Sequence, residues 1–312
     1  MSRWSDDGLV PDDGGAVGRV LVADSWLVED GRVRALDVHR QRFAGSVADA
    51  APDLTSQVEA FWCACVAELP REGAWFPRVE LVAAAAGPSS EPGSARRARS
   101  LPGSTGTPWL AADGSTGGGS TGGGGTGGGG TGGGGVGEAS TVAGPGPRLR
   151  LHLRPAPERR SDVVLATSPV DPRTAPLVKG PDLAALGALR EAAAPRGAEE
   201  AVLLGPDGTI VEGAWSSIVW WEGDALCLPP ADVPRLPGVT LRTVLALAAA
   251  LHVDVHHERR RPDELDGLEV WSLSALHGAR IATRWVDGLA LAEQPGRLRA
   301  WRARLDALRR PL

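Results

Sequence analysis

The sequence predicts a mixed α/β fold of the α+β kind in two domains. Short strands rich in valine and leucine occur along the chain, and helical segments rich in alanine and leucine lie between them. A long tract of glycine, serine, threonine, proline and alanine interrupts the first half. An aperiodic stretch, residues 168–176, links a smaller N-terminal domain, residues 1–167, to a larger C-terminal domain, residues 175–312.

The N-terminal domain opens with a strand, a turn and helices. Residues 18–28 predict a strand, and Asp30-Gly31 predicts a hairpin turn into a return strand, residues 32–36. His39 follows and opens a helix. Residues 54–69 predict a second helix with one apolar face, which we expect to be core: Val58, Phe61, Trp62, Cys65 and Val66.

The glycine-rich tract separates two predicted strands. Residues 76–83 are the first predicted strand. Residues 148–153 alternate between polar and apolar side chains and are the second. Residues 87–147 between them cannot bury a core, so we expect a disordered insert in an expanded hairpin loop. Residues 162–167 predict the last strand before the linker.

The C-terminal domain alternates helices and strands. Asp207-Gly208 predicts a hairpin turn. The predicted helices are residues 183–194, 241–251 and 298–308. The predicted strands are residues 200–204, 209–212, 217–221, 253–259 and 268–274.

Lys179 is the single lysine of a chain with 33 lysine and arginine residues. Arginine can replace a lysine that supplies only charge, but it cannot act as a primary amine. Lys179 is therefore a candidate for a Schiff base with a carbonyl compound. Glu212 ends a strand further along the chain, and Gly238-Val239-Thr240 opens a helix that offers free N–H groups to an anion. An amine, a carboxylate and an anion site are what pyridoxal 5'-phosphate needs.

Four stretches resemble the class IV aminotransferases, the fold-type IV pyridoxal-phosphate enzymes. They are Val178-Lys179, residues 207–213, residues 236–240 and residues 274–280. That family includes branched-chain and D-amino-acid aminotransferases and aminodeoxychorismate lyase, and residues 274–280 look most like the lyase. The resemblance covers roughly residues 18–84 and 148–290, and it implies a two-domain, D-amino-acid-aminotransferase-like fold.

The resemblance also implies roles for individual residues. Lys179 would hold the cofactor covalently and move the substrate proton, and Glu212 would pair with the pyridine nitrogen. A His-x-x-Arg element points to Arg42 as a phosphate ligand, beside Val239, Thr240, Ser274 and Ala275. Family members form homodimers, so we expect a homodimer here.

The chain departs from the family pattern at two places. Leu183 stands where many members carry a tyrosine that hydrogen-bonds the cofactor's ring oxygen, and Asp182 stands at a family asparagine. Residues 24–27 replace a segment that often contains an arginine. These changes bear on carboxylate recognition and cofactor electronics, whereas the amine, the ring-nitrogen partner and the anion site are retained.

Four functions compete. The first is an aminotransferase that acts on a small amino acid and a 2-oxo acid, and the second is 4-amino-4-deoxychorismate lyase, which releases pyruvate. The third is a non-catalytic descendant, suggested by the missing tyrosine, and the fourth is an α/β binding module without a cofactor.

Net charge and composition limit the classes of binding partner and the cellular location that we expect. A net charge of −5 argues against nucleic acid as the main partner. The longest apolar run, residues 244–251, is far shorter than the ~20 residues that a membrane span needs. No signal-peptide core precedes residue 15, so we expect a cytoplasmic protein. His256, His257 and Glu258 lie on one strand and alternate between its faces, so we expect no metal.

Overall fold

Strand pairing divides the β-structure into three sheets. The computed structural model describes residues 1–5, 8–12, 18–84, 146–286 and 288–312. The helices in these ranges are α1 (Leu36–Ala50), α2 (Thr55–Ala67), α3 (Leu183–Ala193), α4 (Val239–Ala250) and α5 (Arg297–Ala307). Short 3₁₀ helices cover Pro52–Leu54, Ala194–Arg196 and Pro262–Leu265.

The strands are named in chain order. The first eight are β1 (Ser2–Ser5), β2 (Gly8–Pro11), β3 (Val20–Ser25), β4 (Val28–Glu29), β5 (Arg32–Val33), β6 (Ala74–Trp75), β7 (Arg78–Val82) and β8 (Arg148–His152). The others are β9 (Asp162–Thr167), β10 (Glu200–Leu204), β11 (Ile210–Gly213), β12 (Ser217–Glu222), β13 (Ala225–Leu228), β14 (Val255–His257), β15 (Glu269–Ser274), β16 (Gly278–Trp285) and β17 (Arg310–Pro311).

A five-stranded sheet, in the order β2-β1-β8-β7-β3, belongs to the first half of the chain. β7 and β8 are antiparallel, with Val82 opposite Arg148, which confirms the pairing predicted on either side of the glycine-rich tract. Helices α1 and α2 pack on this sheet. In α2 the contact uses the predicted apolar face: Val58, Phe61, Trp62 and Cys65 are buried, and Val66 packs against them.

An eight-stranded sheet, in the order β11-β10-β9-β16-β15-β12-β13-β14, carries most of the second half. Helices α4 and α5 cover one face through a core in which Trp221, Trp271 and Trp301 pack edge to face at 5.2–5.9 Å. The hairpin predicted at Asp207-Gly208 is confirmed, since β10 and β11 are antiparallel. This sheet fixes the ends of β11 and β15, which carry two of the predicted site residues.

A small sheet, in the order β17-β5-β4-β6, pairs the last strand of the chain with strands from its first quarter. Asp30-Gly31 forms the predicted turn, with both residues at positive φ, and Val28 pairs with Val33. The strand predicted over residues 32–36 is wrong beyond Val33. Ala35 adopts a left-handed conformation at φ 52°, and α1 begins at Leu36, before His39.

The α/β fold class is confirmed, with element ends that differ from the predicted ones by a few residues. The sequence did not predict β1, β2, β6, β13, β16 and β17. The predicted disordered insert lies outside the described residues, except for residues 146 and 147. Contacts between Cα atoms place the described residues in one compact unit, and the two-domain division at residues 168–176 stays a prediction. None of the described helices is long and apolar enough to cross a membrane.

Candidate active site

A cavity of about 300 Å³ is lined by all seven residues that the sequence singled out. They are Arg42, Lys179, Glu212, Val239, Thr240, Ser274 and Ala275. They come from α1, the segment before α3, the end of β11, the start of α4 and the end of β15. The volume is at the lower end of the range for small-molecule sites, about 300–1,000 Å³. Residues far apart in the sequence therefore line one cavity.

Lys179 is fixed beside the five-stranded sheet by its main chain. Its carbonyl accepts a hydrogen bond from the Ala23 N–H at 2.6 Å. Gly180, at φ 149°, allows this approach, because a Cβ there would lie 2.8 Å from Val22 Cα. Burial lowers the pKa of the Lys179 amine to about 8, and the positive charge of Arg42 acts in the same direction. A substantial fraction of the amine is then neutral and nucleophilic near physiological pH.

Glu212 presents a buried carboxylate to the same cavity from the end of β11. One oxygen accepts from Arg173 at 2.6 Å, and the other accepts from the Leu236 N–H at 3.2 Å. Burial raises the pKa of Glu212 to about 7, while Arg173 opposes that rise. The carboxylate can therefore accept a proton or a strong hydrogen bond from a cationic group in the cavity.

The first turn of α4 opens onto the cavity without a side-chain cap. Gly238 precedes Val239 in an extended conformation, and a Cβ on it would lie 2.6 Å from Ser217 Oγ. The free N–H groups and the helix dipole favour an anion at this end.

A second backbone segment lies against this helix start. Thr240 Oγ1 donates to the Ser274 carbonyl at 2.9 Å, and Ser274 Oγ accepts from the His277 N–H at 3.3 Å. Ser274 ends β15, and Ala275 begins the turn into β16. The helix start and the turn thus form one continuous rim, which suits a phosphate.

Arg42 lies at the cavity, but Asp24 holds its guanidinium. Its Nε and one terminal nitrogen donate to the Asp24 carboxylate at 2.9 and 2.8 Å, and the other terminal nitrogen donates to the Pro237 carbonyl at 3.1 Å. Asp24 is fully buried and also contacts His39 Nδ1 at 2.7 Å. Burial alone would raise the Asp24 pKa, but His39 and Arg42 together lower it well below its usual range. The phosphate role of Arg42 stays a prediction.

The first departure from the family pattern, at Asp182 and Leu183, lies close to the lysine in the chain. Leu183 lines the cavity where the family tyrosine would be expected. The Asp182 carboxylate accepts hydrogen bonds from the Thr174 N–H, the Thr174 hydroxyl and the Ala175 N–H, at 2.7–3.0 Å. Asp182 therefore closes the loop that carries Lys179.

Sequence reasoning missed three charged residues that form hydrogen bonds with the predicted site residues. Arg173 contacts Glu212, Asp24 contacts Arg42, and Arg34 donates to Thr240 Oγ1 at 3.2 Å. Each contact joins segments far apart in the chain, and arginine is too common here for any single one to be noticed. One of these contacts could have been detected: Asp24 lies near the end of a strand, and its two partners, His39 and Arg42, lie on the next helix.

One potential metal-ligand group occurs among the described residues, away from the cavity. Atoms of Cys227, His256 and Glu258 lie within 4.8 Å of one another. Arg260 already pairs with Glu258 at 2.9 Å, and burial raises the pKa of the Cys227 thiol to about 11. These features disfavour a thiolate–carboxylate site, and the expectation that no metal binds stays a prediction.

Comparison with known proteins identifies relatives. A family model described as amino-transferase class IV matches residues 128–285. The chain is similar to the branched-chain amino acid aminotransferase of Escherichia coli, with 15% identity and a TM-score of 0.69 over 98% of this chain and 94% of that one. It is also similar to a hypothetical aminotransferase from Mycobacterium tuberculosis in its PLP-bound form, with 18% identity and a TM-score of 0.64 over 98% of both chains.

A third similar structure is a fold IV-transaminase from Curtobacterium pusillum. It shares 18% identity at a TM-score of 0.63, over 97% of this chain and 92% of that one. At these identities the structural likeness shows the fold. No curated protein sequence matches the chain.

Proposed function

The chain belongs to the class IV aminotransferase family; from that premise we propose that it is a pyridoxal-phosphate-dependent aminotransferase that moves an amino group between a small amino acid and a 2-oxo acid. The observation that carries the proposal is the meeting of Lys179, Glu212 and the uncapped start of α4 at one cavity. These three groups match the aldehyde, the ring nitrogen and the phosphate of the cofactor.

The residues present fit the cofactor. Lys179 would hold it, Glu212 would pair with its ring nitrogen, and Val239, Thr240, Ser274, Ala275 and Arg42 would hold its phosphate. The donor set supports this, because the rim offers N–H groups and the Ser274 hydroxyl to an anion, while Glu212 offers a carboxylate to a cation. When bound, the cofactor supplies an electron sink for the bond that breaks at the substrate Cα.

The protein's own groups do the rest. The lowered pKa of Lys179 gives it a neutral amine that can accept a proton from Cα, and its protonated form can return that proton at a neighbouring atom. Its main-chain bond to Ala23 fixes the base of the side chain beside the cavity. Glu212 offers its carboxylate to a cationic group in the same cavity.

A second candidate, aminodeoxychorismate lyase, is favoured by the motif at residues 274–278, which lies on the cavity rim. The two reactions differ in their need for an amino acceptor.

Purified protein with bound cofactor is mixed with a panel of small amino acids, with and without a 2-oxo acid. Product that forms only with the acceptor supports transamination, and pyruvate released from aminodeoxychorismate without an acceptor supports the lyase. Neither product, with cofactor bound, would identify a non-catalytic descendant.

The homodimer expected from the family is also part of the proposal. Light scattering of the purified chain measures its mass in solution. Twice the chain mass of 32.3 kDa supports the dimer, and a single chain mass contradicts it.

A further inference from the structure

Arg173 lies six positions before Lys179 and belongs to the stretch that precedes α3. Its side chain is 6% exposed, and one terminal nitrogen donates to Glu212 Oε1 at 2.6 Å and to the Pro234 carbonyl at 3.0 Å. A short bond between a guanidinium and a carboxylate is among the stronger polar contacts in proteins. Arg173 therefore bears directly on the carboxylate that we assign to the cofactor's ring nitrogen.

Asp171 holds the rest of the Arg173 guanidinium. Arg173 Nε donates to Asp171 Oδ1 at 2.8 Å, and the other terminal nitrogen donates to Asp171 Oδ2 at 2.6 Å. The main-chain N–H of Arg173 also donates to Asp171 Oδ1, at 3.1 Å. This two-point fork fixes the plane of the guanidinium, so a single nitrogen is directed at Glu212.

Other charges around Glu212 act from farther away. Arg235 is near enough to favour the carboxylate, but its guanidinium donates to the Pro230 carbonyl at 2.6 Å. Lys179 lines the same cavity as Glu212, and the charge of Glu212 acts on its amine. Within the described part of the chain, Arg173 is the one cation hydrogen-bonded to Glu212.

Burial and Arg173 act on Glu212 in opposite directions. Burial favours the neutral acid and raises the pKa of Glu212 to about 7, although Arg173 favours the charged form. Without Arg173 that pKa would rise further, and the acid would be mostly protonated at neutral pH. A neutral acid cannot stabilise the positive charge of a protonated pyridine nitrogen.

We propose that Arg173 is a positioning residue that keeps Glu212 charged and oriented toward the cofactor's ring nitrogen. The proposal rests on the proposed function, because it takes Glu212 as the ring-nitrogen partner. Arg173 occupies Glu212 Oε1. Among the described residues, the partner of Oε2 is the Leu236 N–H at 3.2 Å, so Oε2 is the oxygen left for the ring. Arg173 itself touches neither the reacting atoms nor the substrate in this arrangement.

The first test uses the cofactor-free protein. The side-chain carboxyl signals of isotope-labelled glutamate are followed by NMR as the pH changes, and Glu212→Gln identifies the signal of Glu212. Arg173→Met is expected to raise the Glu212 midpoint by about one pH unit or more. The matched control Arg235→Met removes a cation that is not hydrogen-bonded to Glu212, and we expect a clearly smaller rise. An unmoved midpoint in Arg173→Met overturns the proposal.

The second test measures cofactor affinity against pH. The parent protein and Arg173→Met are titrated with pyridoxal 5'-phosphate, and the acid limb of binding is expected to move to higher pH in the variant. Arg173→Lys keeps the charge without the fork and should move it less. If Arg173→Met does not fold, the Glu212 midpoint of Arg173→Lys is measured instead. A rise relative to the parent protein supports the proposal, and no rise overturns it.

The outcomes separate this proposal from the function that it rests on. If Arg173→Met raises the Glu212 midpoint but the parent protein binds no cofactor, the proposed function is removed and Arg173 has only an electrostatic effect on Glu212. Tight cofactor binding by both proteins with identical acid limbs would keep the function and remove the role of Arg173.

Discussion

Thr240 Oγ1 donates a hydrogen bond to the Ser274 carbonyl at 2.9 Å, and this bond joins the start of α4 to the turn after β15. The two backbone segments that we assign to the cofactor phosphate are thereby held in one position. The side chain of Thr240 is buried, so no water can replace its partner easily.

Thr240→Val is expected to weaken phosphate binding, because valine keeps the shape of threonine and loses the hydroxyl. A buried hydrogen bond contributes about 0.5–1.5 kcal/mol, and its unpaired carbonyl adds to the loss. We expect roughly a tenfold lower affinity for pyridoxal 5'-phosphate and little change for pyridoxal, which lacks the phosphate. Tryptophan fluorescence titration measures both.

The control for that variant is Thr243→Val. Thr243 Oγ1 donates to the Val239 carbonyl at 2.9 Å one turn along the same helix, and Thr243 is not among the residues that line the cavity. Equal losses for the phosphorylated and unphosphorylated compounds in Thr240→Val would show that the hydroxyl only stabilises the fold.

The reactivity of Lys179 is expected to rise with pH and to level off above about 8, because burial and Arg42 hold the pKa of its amine there. Protonated amine is unreactive and predominates below that pH, so the direction of the change is fixed. An amine-reactive reagent and mass spectrometry of the peptide around Lys179 measure it, since the chain has a single lysine. A midpoint near the ordinary lysine value of about 10.4 would contradict the lowered pKa.

Deletion of residues 90–145 is expected to leave cofactor binding intact. Val82 at the end of β7 pairs with Arg148 at the start of β8, so a short loop can join the strands. Each halving of a flexible loop changes the closure cost by only about 0.6 kcal/mol. Thermal unfolding and cofactor titration of the deletion variant check this. Loss of solubility or of binding would show that these residues are structural.

How much the sequence could predict depended on whether the signal was local. Residues 162–167 and 200–204 are strands with the predicted limits, because each is an apolar run between turn signals. Lys179 and Glu212 were found because few residue types can serve as an amine nucleophile or a ring-nitrogen partner, and both line one cavity.

The rest depended on tertiary contacts. β16 begins directly after a tight turn and pairs in parallel with β9, more than a hundred residues earlier in the chain, so its sequence alone gave no strand limits. The partner of Arg42 is Asp24 and that of Glu212 is Arg173, and neither pair follows from spacing. In a chain rich in arginine, only the fold shows which guanidinium meets which carboxylate.

The central claim, that Lys179 is the covalent anchor of the cofactor, is tested most directly by reduction and mass spectrometry. The parent protein and Lys179→Arg are incubated with pyridoxal 5'-phosphate, reduced with borohydride and digested. We expect the cofactor's mass on the Lys179 peptide of the parent, and a visible absorbance band of the bound cofactor in the parent before reduction. The variant is expected to fold and to show neither the mass nor the band. A band that persists in Lys179→Arg, or a parent protein that carries the mass at another residue, would contradict it.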